Sequence, residues 1–291
     1  MIYRFGSLLL FILGTSVLVG CNSGIAEFQN YQTAYQAQYL QGTQVLDRVA
    51  EAERVVERRQ RDRDDVIPPF DPDKARYYVV VGDPPITGAI RDSLISVNDF
   101  NATLVALATG EAAQALTARA GATAASATSA LGAVTAASGA LAAESAAFTT
   151  AAGAAFTAIL PVFQQLAAIE DRAEFRRVLL QAYPDVRKLV VTIRNDATPA
   201  MFELIKRSYV VPGSLDDVVD GVPKSDLPRL EQDRRMLAGW VVLLDKTLAA
   251  MDRAAAAAAD PGSSTDLALL TDASIEVRAL AESIRAARFG Q

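Results

Sequence analysis

A chain of 291 residues with no histidine, a single cysteine and 34 acidic against 28 basic residues carries a net charge of −6. Without histidine or a second thiol it has no Ser-His-Asp or Cys-His nucleophile, no zinc site of ordinary type, no histidine-ligated haem and no internal disulfide. Its acidity, with no basic patch carrying interleaved aromatics, argues against nucleic acid as a partner.

The first residues carry a leader pattern. Arg4 precedes an apolar run over residues 5–19, and the small Gly20 stands just before Cys21. That is the order of a secretory signal peptide, and the run is shorter than the roughly 20 apolar residues of a membrane-spanning helix. Its end, Leu18, Val19, Gly20 and Cys21, resembles the lipobox of bacterial lipoproteins cut by signal peptidase II. The resemblance covers the leader alone. It implies cleavage between Gly20 and Cys21, a diacylglycerol on the Cys21 thiol and an acyl chain on the new amine. Each buried CH₂ adds about 0.8 kcal/mol, so three chains would hold the protein on its membrane. Asn22 stands where an aspartate would resemble an inner-membrane retention signal, which implies a periplasm-facing place on the outer membrane, with the cell surface as the other option. An ordinary secretory leader with a chance cysteine is the alternative. Removing residues 1–20 leaves 27 basic and 34 acidic residues, a net charge of −7.

Residues 21–65 read as one long amphipathic helix. Phe28, Tyr31, Tyr35, Tyr39, Leu46, Val49 and Val56 recur at three- and four-residue steps. At 1.5 Å per residue it would reach about 60 Å. Gly42 interrupts it weakly. The charged stretch 51–65, with Arg58, Arg59, Arg61 and Arg63 among acids, reads as a solvated helix end laced with i,i+4 pairs. Residues 66–85 form a break, because Pro68, Pro69, Pro72, Pro84 and Pro85 forbid a regular helix. Inside it residues 77–81, Tyr-Tyr-Val-Val-Val, suggest a strand or an extended segment crossing the bundle, with no second strand to pair it.

Residues 86–210 read as helical bundle. The stripe Ile86, Ile90, Leu94, Val97, Phe100, Leu104 and Leu107 predicts a helix that Gly110 ends. Residues 111–168 turn to Ala, Ser, Thr and Gly, with Leu116, Leu131, Val134, Leu141, Phe148, Phe156 and Ile159 widely spaced. Alanine is the best helix former, so the expectation is one long helix, broken near Gly121 and kinked at Pro161. A membrane-inserted hairpin is the sharper alternative, opposed by Glu144 and the many hydroxyls. Helix continues to residue 210, bent or restarted at Pro184 and Pro199. Residues 211–224 read as a loop, with Ser214 and Asp216 capping a short turn. The acids Asp216, Asp217 and Asp220 do not match a calcium loop. Residues 225–291 read as two further helices packing on the same bundle. Ser225 or Asp226 caps the first, with Leu227, Leu230, Leu237, Trp240, Val241, Leu244 and Leu248 inward. Asp260, Pro261 and Gly262 divide the two. Ser264 or Thr265 caps the second, with Leu267, Leu270, Ile275, Val277, Leu280 and Ile284 inward.

The expected fold is all-α: an elongated antiparallel bundle with long, partly alanine-rich helices. The leading functional expectation is a lipid-anchored, non-catalytic envelope protein, a scaffold or interaction module with a protein partner or self-association, and no cofactor or metal. The second is a helical module for a small or lipidic ligand, for which Tyr31, Tyr35 and Tyr39 are cleft candidates, although such a stripe more often packs on neighbouring helices. The third is a carboxylate-dependent hydrolase of envelope polymer using Asp71 and Asp73 or Glu170 and Asp171, which would need two acids facing across a cleft.

Overall fold

A computed structural model describes residues 24–61, 69–138, 142–211 and 217–289, with Asp73, residues 142–144 and residues 287–289 placed as backbone only. The leader, Cys21, Arg63, Ser214 and Asp216 lie outside the described residues. The fold is an all-α helical bundle.

Helix α1, Ile25–Arg61, buries Phe28, Tyr31, Tyr35, Leu46, Val49 and Val56, the stripe that the periodicity marks. Its direction relative to α2, Pro85–Ala108, is fixed by three contacts. The Tyr31 hydroxyl donates to Asn101 Oδ1 at 2.6 Å, Arg91 reaches Asp47 at 2.8 Å, and Glu53 accepts from the Thr87 amide at 2.9 Å, so the two helices run antiparallel. Glu53 is fully buried and closes the α2 N-terminus. Pro84 at the N-cap offers no side-chain bond. The Glu53 carboxylate instead accepts from the Ile86 and Thr87 amides, the Thr87 hydroxyl and the Tyr77 hydroxyl. It meets donors that every helix start leaves open, at the positive end of the dipole.

All seven apolar positions of the α2 stripe are buried. Gly110, at φ +90°, follows its end. The alanine-rich stretch beyond is two helices, where one was expected: α3, Ala113–Ser138, and α4, Ala142–Leu166. They pack face to face, with Ser145 Oγ 3.3 Å from the Ala137 carbonyl and Gly153 beside Val134. Gly121, where a break was expected, lies inside α3, and Pro161 lies inside α4. Ala120, Ala127, Ala130 and Ala137 make a buried face of α3, and Ser96–Ser126 and Thr103–Thr123 contacts stitch it to α2. The small side chains of this face serve packing inside the bundle. Among the described residues one helix, Ser145–Leu166, is long and apolar enough to cross a membrane. Here Phe148, Phe156, Ile159, Phe163 and Leu166 on it are buried in the core.

Helix α5, Arg172–Thr192, starts at Asp171, whose side chain accepts from the Glu174 amide. Pro184 is accommodated within it. Pro199 acts differently: one wide turn of π-helix, Ile193–Ala197, precedes α6, Thr198–Tyr209, where the proline sits in the first turn. A proline needs no amide partner at a helix start, and the wide turn relieves the clash with the preceding carbonyls. Helix α7, Leu227–Ala259, runs antiparallel to α5, as Arg187 meets Asp252 and Arg194 meets Asp245. Helix α8, Ser264–Phe289, returns along α7, with Lys246 on Glu276 and Gly239 beside Ile284. It therefore runs parallel to α1 and closes the bundle against it, Leu267 lying on Gly24.

Several local expectations are corrected. Residues 211–224 are not loop throughout: Val218–Val219 pairs antiparallel with Val222–Pro223. Asp220 at φ +51° and Gly221 at φ +78° form the turn, the left-handed pair that a two-residue hairpin needs. Residues 77–81 form no strand: Tyr77 ends a 3₁₀ turn, Pro72–Tyr77, and Val79, Val80 and Val81 stand exposed. Asp226 makes no capping bond at the start of α7, and the Asp266 amide is capped by Ser263 rather than by Ser264 or Thr265. Ile275, expected inward, is exposed. The charged end of α1 is not simply solvated. Arg54 donates to the Arg76 and Val80 carbonyls and Arg59 to those of Arg207 and Val210, clipping two irregular segments to the helix.

Candidate functional site

Helices α1 and α7 cross antiparallel at a glycine. A Cβ on Gly42 would stand 2.7 Å from Cη2 and 2.9 Å from Cζ3 of Trp240, so the indole occupies the space that any other residue would need. The glycine read as a weak interruption is the seat of the only tryptophan.

Beside this crossing a cavity of about 740 Å³ opens between α1, α6 and α7, with Ile284 of α8 on its edge. Val45, Met236 and Leu243 give it an apolar wall, and Trp240 and Gln41 line it from the two crossing helices. Arg48, Asp233 and Tyr209 form its polar end. Arg48 Nε and Nη2 hold both Asp233 oxygens at 2.9–3.2 Å, and the Tyr209 hydroxyl donates to Asp233 Oδ2 at 3.0 Å. The guanidinium also lies 5.4 Å from the Tyr209 ring centroid. Burial works against the Arg48 charge, but the hydrogen bond to Asp233 and its charge outweigh it, and Arg48 stands above the ordinary arginine value. Burial pushes the Tyr209 hydroxyl up as well. The exposed Arg229 and Arg235 stand at the mouth, facing Asp226 and Glu231.

Two buried donors in this lining have no acceptor. Gln41 is 4% exposed and Trp240 1%. Neither Gln41 Nε2 nor Trp240 Nε1 has a hydrogen-bond partner. Leaving such a group unpaired costs about 1–3 kcal/mol; both nitrogens are shut off from the open space of the cavity, and the unpartnered side-chain atoms of Gln38, Asn101 and Arg176 lie away from its lining.

The tyrosine candidates lie elsewhere. Tyr31 and Tyr35 are buried against α2 around Asn101, sealed in the core, where desolvation raises both hydroxyls. Tyr39 is half-buried beside them, and none of the three lines this cavity. Of the acid pairs, Asp171 serves as the α5 cap, Glu170 is exposed, Asp71 is half-buried, and the Asp73 side chain lies outside the described residues. Asp217 and Asp220 pair with Lys224 and Lys206. Among the described residues no group of three acids or cysteines is placed to hold a metal ion. A second cavity, about 760 Å³, lies over the far end of α1, where Arg91 bridges Asp47 and Asp83.

Sequence reasoning placed Trp240 in the core but did not single out Gln41, Arg48 or Asp233. The available signal was polar residues at apolar positions: Gln38 and Gln41 sit on the stripe that carries Tyr31, Tyr35 and Val45. The chain matches no known family model, no curated protein and no solved structure.

Proposed function

We propose that this chain is a lipid-anchored, non-catalytic envelope protein whose helical body holds a small organic ligand in the cleft between α1, α6 and α7. The cleft itself carries the ligand reading: about 740 Å³ falls inside the 300–1,000 Å³ of typical ligand sites, and a mostly apolar wall with a few convergent polar groups is their usual lining. The ionisable groups in it are tied to one another, Asp233 to Arg48 and Tyr209, which suits binding better than proton transfer. The anchor half of the proposal rests on the lipobox resemblance at Cys21 and places the body on the periplasmic face of the outer membrane.

The test is native mass spectrometry of the full chain, expressed in a bacterium and gently extracted. A co-purifying small molecule is expected on the wild type and absent from Gly239→Leu, which puts a side chain into the cleft wall beside Ile284. Bare protein in both samples would remove the ligand reading. For the anchor, palmitate labelling lost in Cys21→Ser is the expected result, and an unlabelled wild type would reject it.

A second role, docking to a protein partner, has one observation in its favour. Phe70 and residues 78–81 expose an apolar strip, with Val80 87% and Val81 86% exposed. Lys74 bonds Glu57, which puts the strip at the end of α1 opposite Gly24, about 50 Å from the anchored end. A photocrosslinker at Val80 is expected to give one discrete adduct in cells, and only free protein would reject this role.

A further inference from the structure

On the reading of the cleft as a ligand site, we infer that its occupant is an amphiphile with an anionic head. The head sits at the mouth on Arg229 and Arg235, and the tail runs inward towards Trp240 and Leu243.

The cleft is graded in polarity along its length. On α7 its lining runs from Arg229, Gln232 and Arg235 to Met236, Gly239 and Leu243, about 20 Å from first to last. The antiparallel α1 keeps the same order in space: Arg48 meets Asp233, Gly42 meets Trp240, and Val45 lies between the two. Tyr209 joins the charged end, and Ile284 lies beside Gly239 at the apolar one. A molecule with one charged and one apolar end fits such a gradient better than a uniformly apolar one.

The charged end favours an anion. Of its two acids, Asp233 is held at both oxygens by Arg48 and again by the Tyr209 hydroxyl. The other, Glu231, faces two arginines, Arg234 and Arg235. Arg229 and Arg235 are less committed. Their acids stand at 3.6 and 3.5 Å, beyond a normal hydrogen bond, and their side chains are 74% and 77% exposed. Exposed pairs of this kind contribute about 0–1 kcal/mol, so both guanidinium groups can turn to an incoming anion. Their planar forks match a carboxylate or a phosphate, while an ammonium head would meet them as a like charge.

The full chain, held in amphipol, is titrated calorimetrically below micellar concentration with octanoate, octanol and octylamine, three probes with the same tail and different heads. Octanoate is expected to bind about tenfold more tightly than octanol, with octylamine weakest, and to lose that advantage as salt is raised. In the double variant Arg229→Gln, Arg235→Gln, octanoate is expected to fall to the affinity of octanol. Octanol binding and the melting temperature of the unliganded chain should hold, because both side chains are exposed. A merely structural role would weaken both probes and lower the melting temperature. Trp240 is the only tryptophan of the chain, so bromine quenching of its emission reads the orientation. Octanoate brominated on its last carbon is expected to quench more strongly than octanoate brominated beside its carboxylate.

Octanol or octylamine binding as tightly as octanoate would overturn the anionic head while leaving the cleft a ligand site. So would a double variant that keeps the octanoate preference, or the reverse order of quenching. No response to any probe, with a co-purified molecule present in native mass spectra, would likewise overturn the head-group chemistry alone. Silence in both experiments would overturn the two together.

Discussion

Glu53 is the residue on which the junction of α1 and α2 depends. One carboxylate from the middle of α1 accepts two α2 amides and two hydroxyls, all with water excluded. Glu53→Ala should cost about 3 kcal/mol or more, because several buried donors lose their acceptor at once; denaturant unfolding measures this. The pH dependence has a definite sign. Burial, opposed by the four hydrogen bonds, raises the Glu53 carboxyl above the ordinary glutamate value. The folded chain therefore holds this proton at a pH where the unfolded chain has released it. Stability from this group is complete below the ordinary glutamate range and is lost as pH rises through the elevated folded value. Glu53→Gln cannot titrate, so its stability should fall less than that of the wild type between that range and neutrality. Parallel curves for the two proteins would rule out an elevated carboxyl at this position.

Among elements, legibility followed side-chain size. Where apolar residues are large, as in α1, α2 and α7, their spacing reveals both the helix and its inward face. In residues 111–168 it reveals the helix but not its end, since alanine is content on any face and a reversal leaves no gap in the pattern. The break between α3 and α4 follows from tertiary packing, with the alanine face of α3 fitting against α2 and α4. The 218–223 hairpin was legible in principle: Asp220 and Gly221 between two β-branched pairs is a strong hairpin signal, masked by its proline- and acid-rich surroundings. The cleft was not legible, because its residues come from three helices and no local period relates Gln41 to Trp240 or Arg48 to Asp233. The α3 face makes a sharp prediction. Ala127 is fully buried and Ala125 exposed on the same helix. Ala127→Leu should destabilise by about 1–3 kcal/mol through overpacking, while Ala125→Leu should stay within about 0.5 kcal/mol. Equal thermal midpoints for the two variants would mean that the tight alanine face does not exist.

At the scale of the whole molecule, closure matters more than any single contact. Helices α1 to α5 each pack on the next, as do α6 to α8, α5 runs through the π turn into α6, and α8 returns to lie along α1, so the first and last described helices seal the bundle. One contiguous core joins them: Phe100 of α2 meets Phe163 of α4 and Tyr183 of α5, and Tyr183 in turn bonds Asp252 of α7. That chain of contacts runs from the alanine-rich hairpin to the helix that carries Trp240. A perturbation in α3 should consequently be felt at Trp240, although the two are far apart in sequence. In thermal unfolding, Trp240 fluorescence and helical circular dichroism should give one coincident transition, and Ala127→Leu should move both midpoints down by the same amount. If the dichroism of Ala127→Leu instead fell in two steps, with Trp240 reporting only the later one, the hairpin would be a separable unit. The cleft would then belong to a smaller core of α1, α5, α6, α7 and α8, and ligand binding there would stabilise the second transition alone.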